Sequence, residues 1–178
     1  MFRRKRDPLR VSLEMLHKVR VLRDRIDVLY NRVEERRKAL FERLVDLESK
    51  GEKYLAKKYA EEVSKLDKLL SRLSLVQLVL EKVDLALQYS INMRKFAELA
   101  SEVNGLVKDL SKMPEFNIPD LSMVFVEFEG LVKELEDASR TGSPVSLEYS
   151  PPLDGDVKKI LEEARAIVKE RLTDELTA

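Results

Sequence analysis

Ser49-Lys50-Gly51-Glu52 is the stretch that decides the fold. Glycine is the usual residue just past a helix end, where the backbone turns left-handed. No glycine or proline occurs from Leu9 to Lys50, nor from Glu52 to Asn104. Upstream of the break, apolar residues recur at Leu13, Leu16, Val19, Leu22, Ile26, Leu29, Val33, Leu40, Leu44 and Leu47. These are steps of three and four, with one wider gap across Arg36, so a single stripe faces a partner helix. Pro8 suits the first helical position, because its missing N–H would have no partner there. The pattern predicts a helix over about 9–49, on the order of 60 Å long at 1.5 Å per residue. Downstream, a second helical pattern runs over about 53–112, where Gly105 weakens the helix locally and marks a bend. Two long amphipathic helices joined by a short break predict an all-α fold built on an antiparallel two-helix hairpin, with shorter C-terminal helices.

The second pattern is apolar on more than one side. At 100° per residue, Leu69, Leu70, Leu73, Val76, Leu80 and Val83 cluster together, while Leu75, Leu78, Val79, Leu85 and Ala86 fall opposite. Such a helix is buried on both faces, and one hairpin partner covers only one of them. The other awaits either the C-terminal segments or a second subunit. Met113-Pro114 ends the hairpin, and a short helix over 113–139 carries Leu121, Val124, Phe125, Phe128, Leu131, Val132 and Leu135 at helical spacing. Thr141-Gly142-Ser143-Pro144 and Ser150-Pro151-Pro152 bound a linker over 140–153 that is expected to be flexible. A last amphipathic helix over 154–173 presents Val157, Ile160, Leu161, Ala164, Ile167, Val168 and Leu172, placed to dock or release.

Charge is graded along the 178 residues. Up to Leu44 there are fourteen lysines and arginines against seven acids; from Glu115 onward the ratio is seven against fifteen. The formal net charge of zero hides this pattern. A basic head and an acidic tail imply an anionic partner, with the tail able to compete for the same surface. The abundance of charge (37%), with few glycines and prolines, is typical of long helices. The lack of cysteine excludes a disulfide framework and a thiolate metal site, and fits a reducing cytoplasm. The longest apolar stretch, Leu73 to Leu80, is far short of the roughly 20 residues a membrane span needs. The basic start Met1 to Arg6 runs into Asp7-Pro8 and a charged helix instead of the apolar core of a signal peptide. A soluble or peripheral protein is expected.

No enzyme, cofactor or metal chemistry is predicted. His17 is the only histidine and sits at the edge of the apolar stripe. There is no E-x-x-H pair, no phosphate-binding glycine loop and no nucleophile elbow. The acidic residues read as solvated helix faces, and pairs such as Glu14/Lys18, Glu34/Lys38, Glu61/Lys65 and Glu129/Lys133 merely support helix. The cations are more informative. Phe2-Arg3-Arg4-Lys5-Arg6 sets four cations behind an apolar residue. Near an anionic bilayer each is worth about 1 kcal/mol. On the first helix Lys18, Arg25, Arg32, Arg36 and Arg43 fall within about 40° of one another. That ribbon reads either as an anion-binding edge or as coiled-coil edge charge, pairing with Glu61, Glu62 or Asp67 of the second helix.

The layout resembles the ESCRT-III proteins, and within them the archaeal cell-division branch called CdvB. The likeness rests on Leu22-Arg23-Asp24-Arg25-Ile26-Asp27-Val28-Leu29 leading into Glu34-Glu35-Arg36-Arg37-Lys38-Ala39-Leu40. It continues through Lys50-Gly51-Glu52, Tyr59-Ala60-Glu61-Glu62 and the Leu78 to Val83 segment, so it covers nearly the whole chain. Order, spacing and charge gradient carry it. The resemblance implies a protein at the inner face of the cell membrane that polymerises on anionic lipid, alone or with paralogues, to constrict or sever it in cell division. Phe2, Arg3, Arg4, Lys5 and Arg6 with the Lys18 to Arg43 ribbon would then face lipid. Leu75, Leu78, Val79 and Leu85 would lie at subunit contacts. The helix bearing Val157, Ile160, Leu161, Ala164, Ile167 and Val168 would hold the monomer closed. An AAA+ ATPase of the vacuolar-sorting type would engage the C-terminal region, for which Ser150-Pro151-Pro152-Leu153 is the nearest sequence match to a proline-rich docking motif.

Two other readings stay open at the level of sequence. A cytosolic coiled-coil scaffold or adaptor would use the extra apolar face for a fixed small oligomer, without lipid dependence. Nucleic-acid binding through the ribbon would call for interleaved aromatics and a net positive charge, and neither is present.

Overall fold

The structure, a computed structural model, describes residues 6–140 and 155–177. Among these, the order is α1 (Pro8–Ser49), α2 (Lys53–Met93), α3 (Ala97–Leu110), a 3-10 turn (Pro114–Asn117), α4 (Pro119–Arg140) and α5 (Gly155–Thr177), with no strand. The all-α expectation holds. The expected linker falls largely on residues 141–154, outside the described residues.

Each boundary has a local cause. The Asp7 carboxylate accepts from the Leu9 N–H at 3.1 Å, capping α1 while Pro8 takes the first helical position. At the far end Gly51 has φ +75°, with Glu52 N–H donating to Leu47 C=O and Gly51 N–H to Glu48 C=O, both at 3.1 Å. This is the Schellman arrangement that closes a helix through a left-handed residue.

The same arrangement recurs where no break is expected. Lys95 N–H donates to Ser90 C=O at 3.0 Å, Arg94 N–H to Ile91 C=O at 3.4 Å, and Arg94 has φ +54°. The predicted helix over 53–112 is therefore two helices, and the hairpin ends at Met93 instead of near 112. Packing is the reason: the break re-aims the α3 face bearing Leu99, Val103, Leu106 and Leu110, all buried, onto α4 and α5. An arginine in left-handed backbone costs about 1–2 kcal/mol and persists only where its surroundings impose it. Gly105, the expected bend, lies inside the unbroken helix α3.

The chain divides into two compact units. The first comprises Met1–Arg23 with Leu78–Ala178. Val11, Met15, Val19 and Leu22 of α1 are buried here, as are Val83 and Leu87 of α2. Leu13, expected in the stripe, is 49% exposed, because the buried run follows 11, 15, 19 and 22 instead. α4 lays Leu121, Phe125, Phe128 and Leu135 inward, and Phe116 of the 3-10 turn packs against Phe125 with ring centroids 4.5 Å apart.

The second unit, Asp24–Gln77, is a pair of antiparallel helices. Ion pairing between Arg37 and Asp67 at 2.8 Å and the Gln77–Asp27 hydrogen bond at 2.7 Å set its register. Its buried apolar residues are few: Ile26, Val33, Ala56, Val63, Leu73 and Val76. Two helices alone leave most side chains in water, and cations cover part of the exposed aromatic surface. Arg37 sits 5.0 Å from the Phe41 ring centroid, Lys58 5.7 Å from Tyr54 and Arg43 6.0 Å from Tyr59.

Candidate functional site

The expected anion-binding cations divide by unit. Phe2, Arg3, Arg4 and Lys5 lie outside the described residues. In the first unit, Arg6 makes a two-pronged ion pair with Glu134 of α4, Nε to Oε1 at 2.6 Å and Nη2 to Oε2 at 2.5 Å, and its Nη1 reaches Glu14 at 2.6 Å. Hydrogen bonding from Arg6 holds the Glu134 carboxyl below its usual range, and the guanidinium's own pKa rises in return. Lys18 pairs with Glu127, also on α4. Among the described residues, the acidic segment thus already sits on the basic head through α4. In the second unit Arg25, Arg32, Arg36 and Arg43 are all exposed, and Arg43 lies over Tyr59. In this unit Arg37 of α1, which is not a member of the ribbon, engages Asp67 of the second helix.

The expected assembly residues also divide. Leu78 and Leu85, seven residues apart and so on one face of α2, are 40% and 51% exposed. Val79 is 1% exposed and belongs to the core of its own chain. Its assignment as a subunit contact is corrected accordingly: as the next residue along the helix it is rotated 100° from Leu78, off the exposed face and into the core. Leu75, in the second unit, is half-buried.

The terminal helix α5 is docked on α3. Leu161, Ala164 and Val168 are buried, and Ile160 and Ile167 half-buried. The Val157 side chain lies outside the described residues, as does Ser150-Pro151-Pro152-Leu153. Two ion pairs flank the seat: Lys82 with Glu163 at 3.0 Å and Arg165 with Glu102 at 3.5 Å.

Asp84 departs from the reading of acids as solvated faces. Its side chain is 3% exposed and accepts from Arg23 at 2.8 Å, Arg20 at 3.4 Å and Gln88 at 2.5 Å. Burial pushes this carboxyl up, but hydrogen bonds from Gln88, Arg23 and Arg20 outweigh it, so its pKa falls. The available signal was its place between Val83 and Leu87 on the apolar side of α2, opposite an arginine pair on α1. Among the described residues no cluster of potential ligands could hold a metal ion, and no helix is long and apolar enough to cross a membrane.

No family model matches the chain, and neither does any solved structure. Curated relatives do. Cell division protein B1 of Sulfolobus acidocaldarius is 30% identical over 173 residues, covering 95% of this chain and 79% of that protein. Cell division protein B of the same organism is 24% identical over 162 residues, covering 90% of this chain, which spans 61% of that relative's length. With an all-helical architecture and a match running almost end to end, the chain belongs to the archaeal cell division B proteins, the CdvB branch of ESCRT-III.

Proposed function

We propose that this protein polymerises on anionic membranes and constricts or severs them during archaeal cell division, with no covalent chemistry of its own. The names of its relatives support the division role. The observation that carries polymerisation is the Leu78–Leu85 stripe, an exposed apolar face on a helix whose other side is already core. A second copy or a paralogue covers it. Arg25, Arg32, Arg36 and Arg43 meet lipid, joined by Phe2, Arg3, Arg4 and Lys5 and, once α4 yields them, by Arg6 and Lys18. Each contact is weak, and assembly multiplies them. Docked α5 restrains assembly, and an AAA+ ATPase acts on the C-terminal region.

Negative-stain microscopy and co-sedimentation with anionic vesicles test this reading. Filaments or tubulated lipid are expected at low salt, with binding lost by roughly 0.5 M, where the Debye length is only a few ångströms. Small discrete particles and bare vesicles would instead support the adaptor. One observation favours that second reading: Arg6 and Lys18, two of the expected lipid contacts, are occupied by glutamates.

A further inference from the structure

Gly105 of α3 and Arg165 of α5 meet where their helices pack. A methyl carbon built on Gly105 would stand 2.9 Å from Arg165 Cζ and 3.0 Å from Nη2. The guanidinium therefore occupies the volume that any other residue's Cβ would need. Glu102, three residues earlier on α3, stands 3.5 Å from Arg165 Nη1. Gly130 of α4 offers a contrast, with nothing within 4 Å of its absent Cβ. Glycine weakens a helix interior, so its place in α3 calls for a compensating use. Among the described residues, the fully buried apolar part of the α5 seat is Leu161, Ala164 and Val168, of which only the leucine is large.

We propose that Gly105 and Arg165 form the latch of the terminal helix. The flat guanidinium drops into a side-chain-free notch on α3 and sets the depth and register at which α5 docks, with Glu102 as its counter-charge. Both are positioning residues. The inference rests on the reading that α5 restrains assembly, but makes a narrower statement about what holds it. A lysine at 165 would keep the charge without the planar fork that fills the notch. Because the guanidinium is the tip of a flexible side chain, Gly105→Ala only nudges it off Glu102. Gly105→Leu fills the notch and evicts it.

Hydrogen exchange on the full chain, read at α5 amides 160–170, tests the latch. Gly105→Leu and Arg165→Ala are each expected to raise α5 opening about tenfold, and the double variant no more than the larger single, since both remove one contact. Lys82→Ala removes a separate ion pair and multiplies with either. Unchanged α5 exchange in both singles would overturn the latch, as would a double variant equal to the product of its singles. If Gly105→Leu does not fold, Arg165→Ala and Arg165→Lys carry the test: opening raised in both supports the latch, and unchanged exchange overturns it. Onset of filament growth on anionic vesicles is measured in the same variants. Raised exchange with unchanged onset leaves the latch standing and overturns the regulatory reading.

Discussion

Four residues carry consequences that composition conceals. Asp84 is a buried carboxylate among half-exposed arginines, so its loss removes charge-assisted hydrogen bonds without stranding a fully buried cation. Asp84→Asn is expected to lower unfolding free energy at neutral pH by about 1–3 kcal/mol in urea titrations. The pH dependence follows from the depressed carboxyl. Its stabilisation is present in full above the ordinary aspartate pKa, about 3.9, and is lost as pH falls through the lower folded value. Glu134 acts in the same direction through Arg6. The parent should weaken steeply in acid, and Asp84→Asn should show a shallower decline, starting from less. Arg94 and Gly51 form a complementary pair. Arg94→Gly should stabilise by about 1 kcal/mol, and Gly51→Ala should destabilise by a similar amount, since both positions have positive φ. Thermal melts read both.

Among the elements, the contrast between those two positions explains what the sequence discloses. The α1–α2 break is spelled by a glycine, and the predicted boundary lands within a residue or two. The α2–α3 break is spelled by nothing local: Asn92-Met93-Arg94-Lys95 has ordinary helix propensity, and the turn exists because α3 packs elsewhere. The α4 helix was legible because Leu121 to Leu135 keep helical spacing and are almost entirely buried. For the candidate site, periodicity found the exposed pair Leu78 and Leu85 but swept Val79 in with them, since a wheel cannot say how much of a face its partner covers. The α4 partners of Arg6 and Lys18 were illegible, because residues more than a hundred positions away supply them. Leu78→Asp with Leu85→Asp should abolish filaments while leaving the helical circular dichroism and melting temperature nearly unchanged. Val79→Asp should instead unfold the chain, as it buries a charge in a packed core. Phe128→Ala should cost about 3–5 kcal/mol through the cavity it leaves in α4's inward face.

For the whole molecule, placement of the acids changes how the regulatory experiment must be cut. Removing everything from Glu115 onward would strip Phe116, Leu121, Phe125 and Phe128 from the α3 packing, so any assembly it provoked would report damage as much as release. A cut after Arg140 removes α5 and spares α4; filament onset should then come earlier at a given salt, as read by light scattering. That truncation leaves Glu127 and Glu134 on Lys18 and Arg6. A lipid phosphate arriving at either cation does not neutralise a bare charge; it displaces a carboxylate already there. On the proposed function, landing on a membrane is therefore partly an exchange reaction, in which salt weakens the bond being broken along with the bond being made. The ionic-strength dependence of membrane binding should accordingly count fewer cations than the basic head contains, and Glu127→Gln with Glu134→Gln should make that dependence steeper.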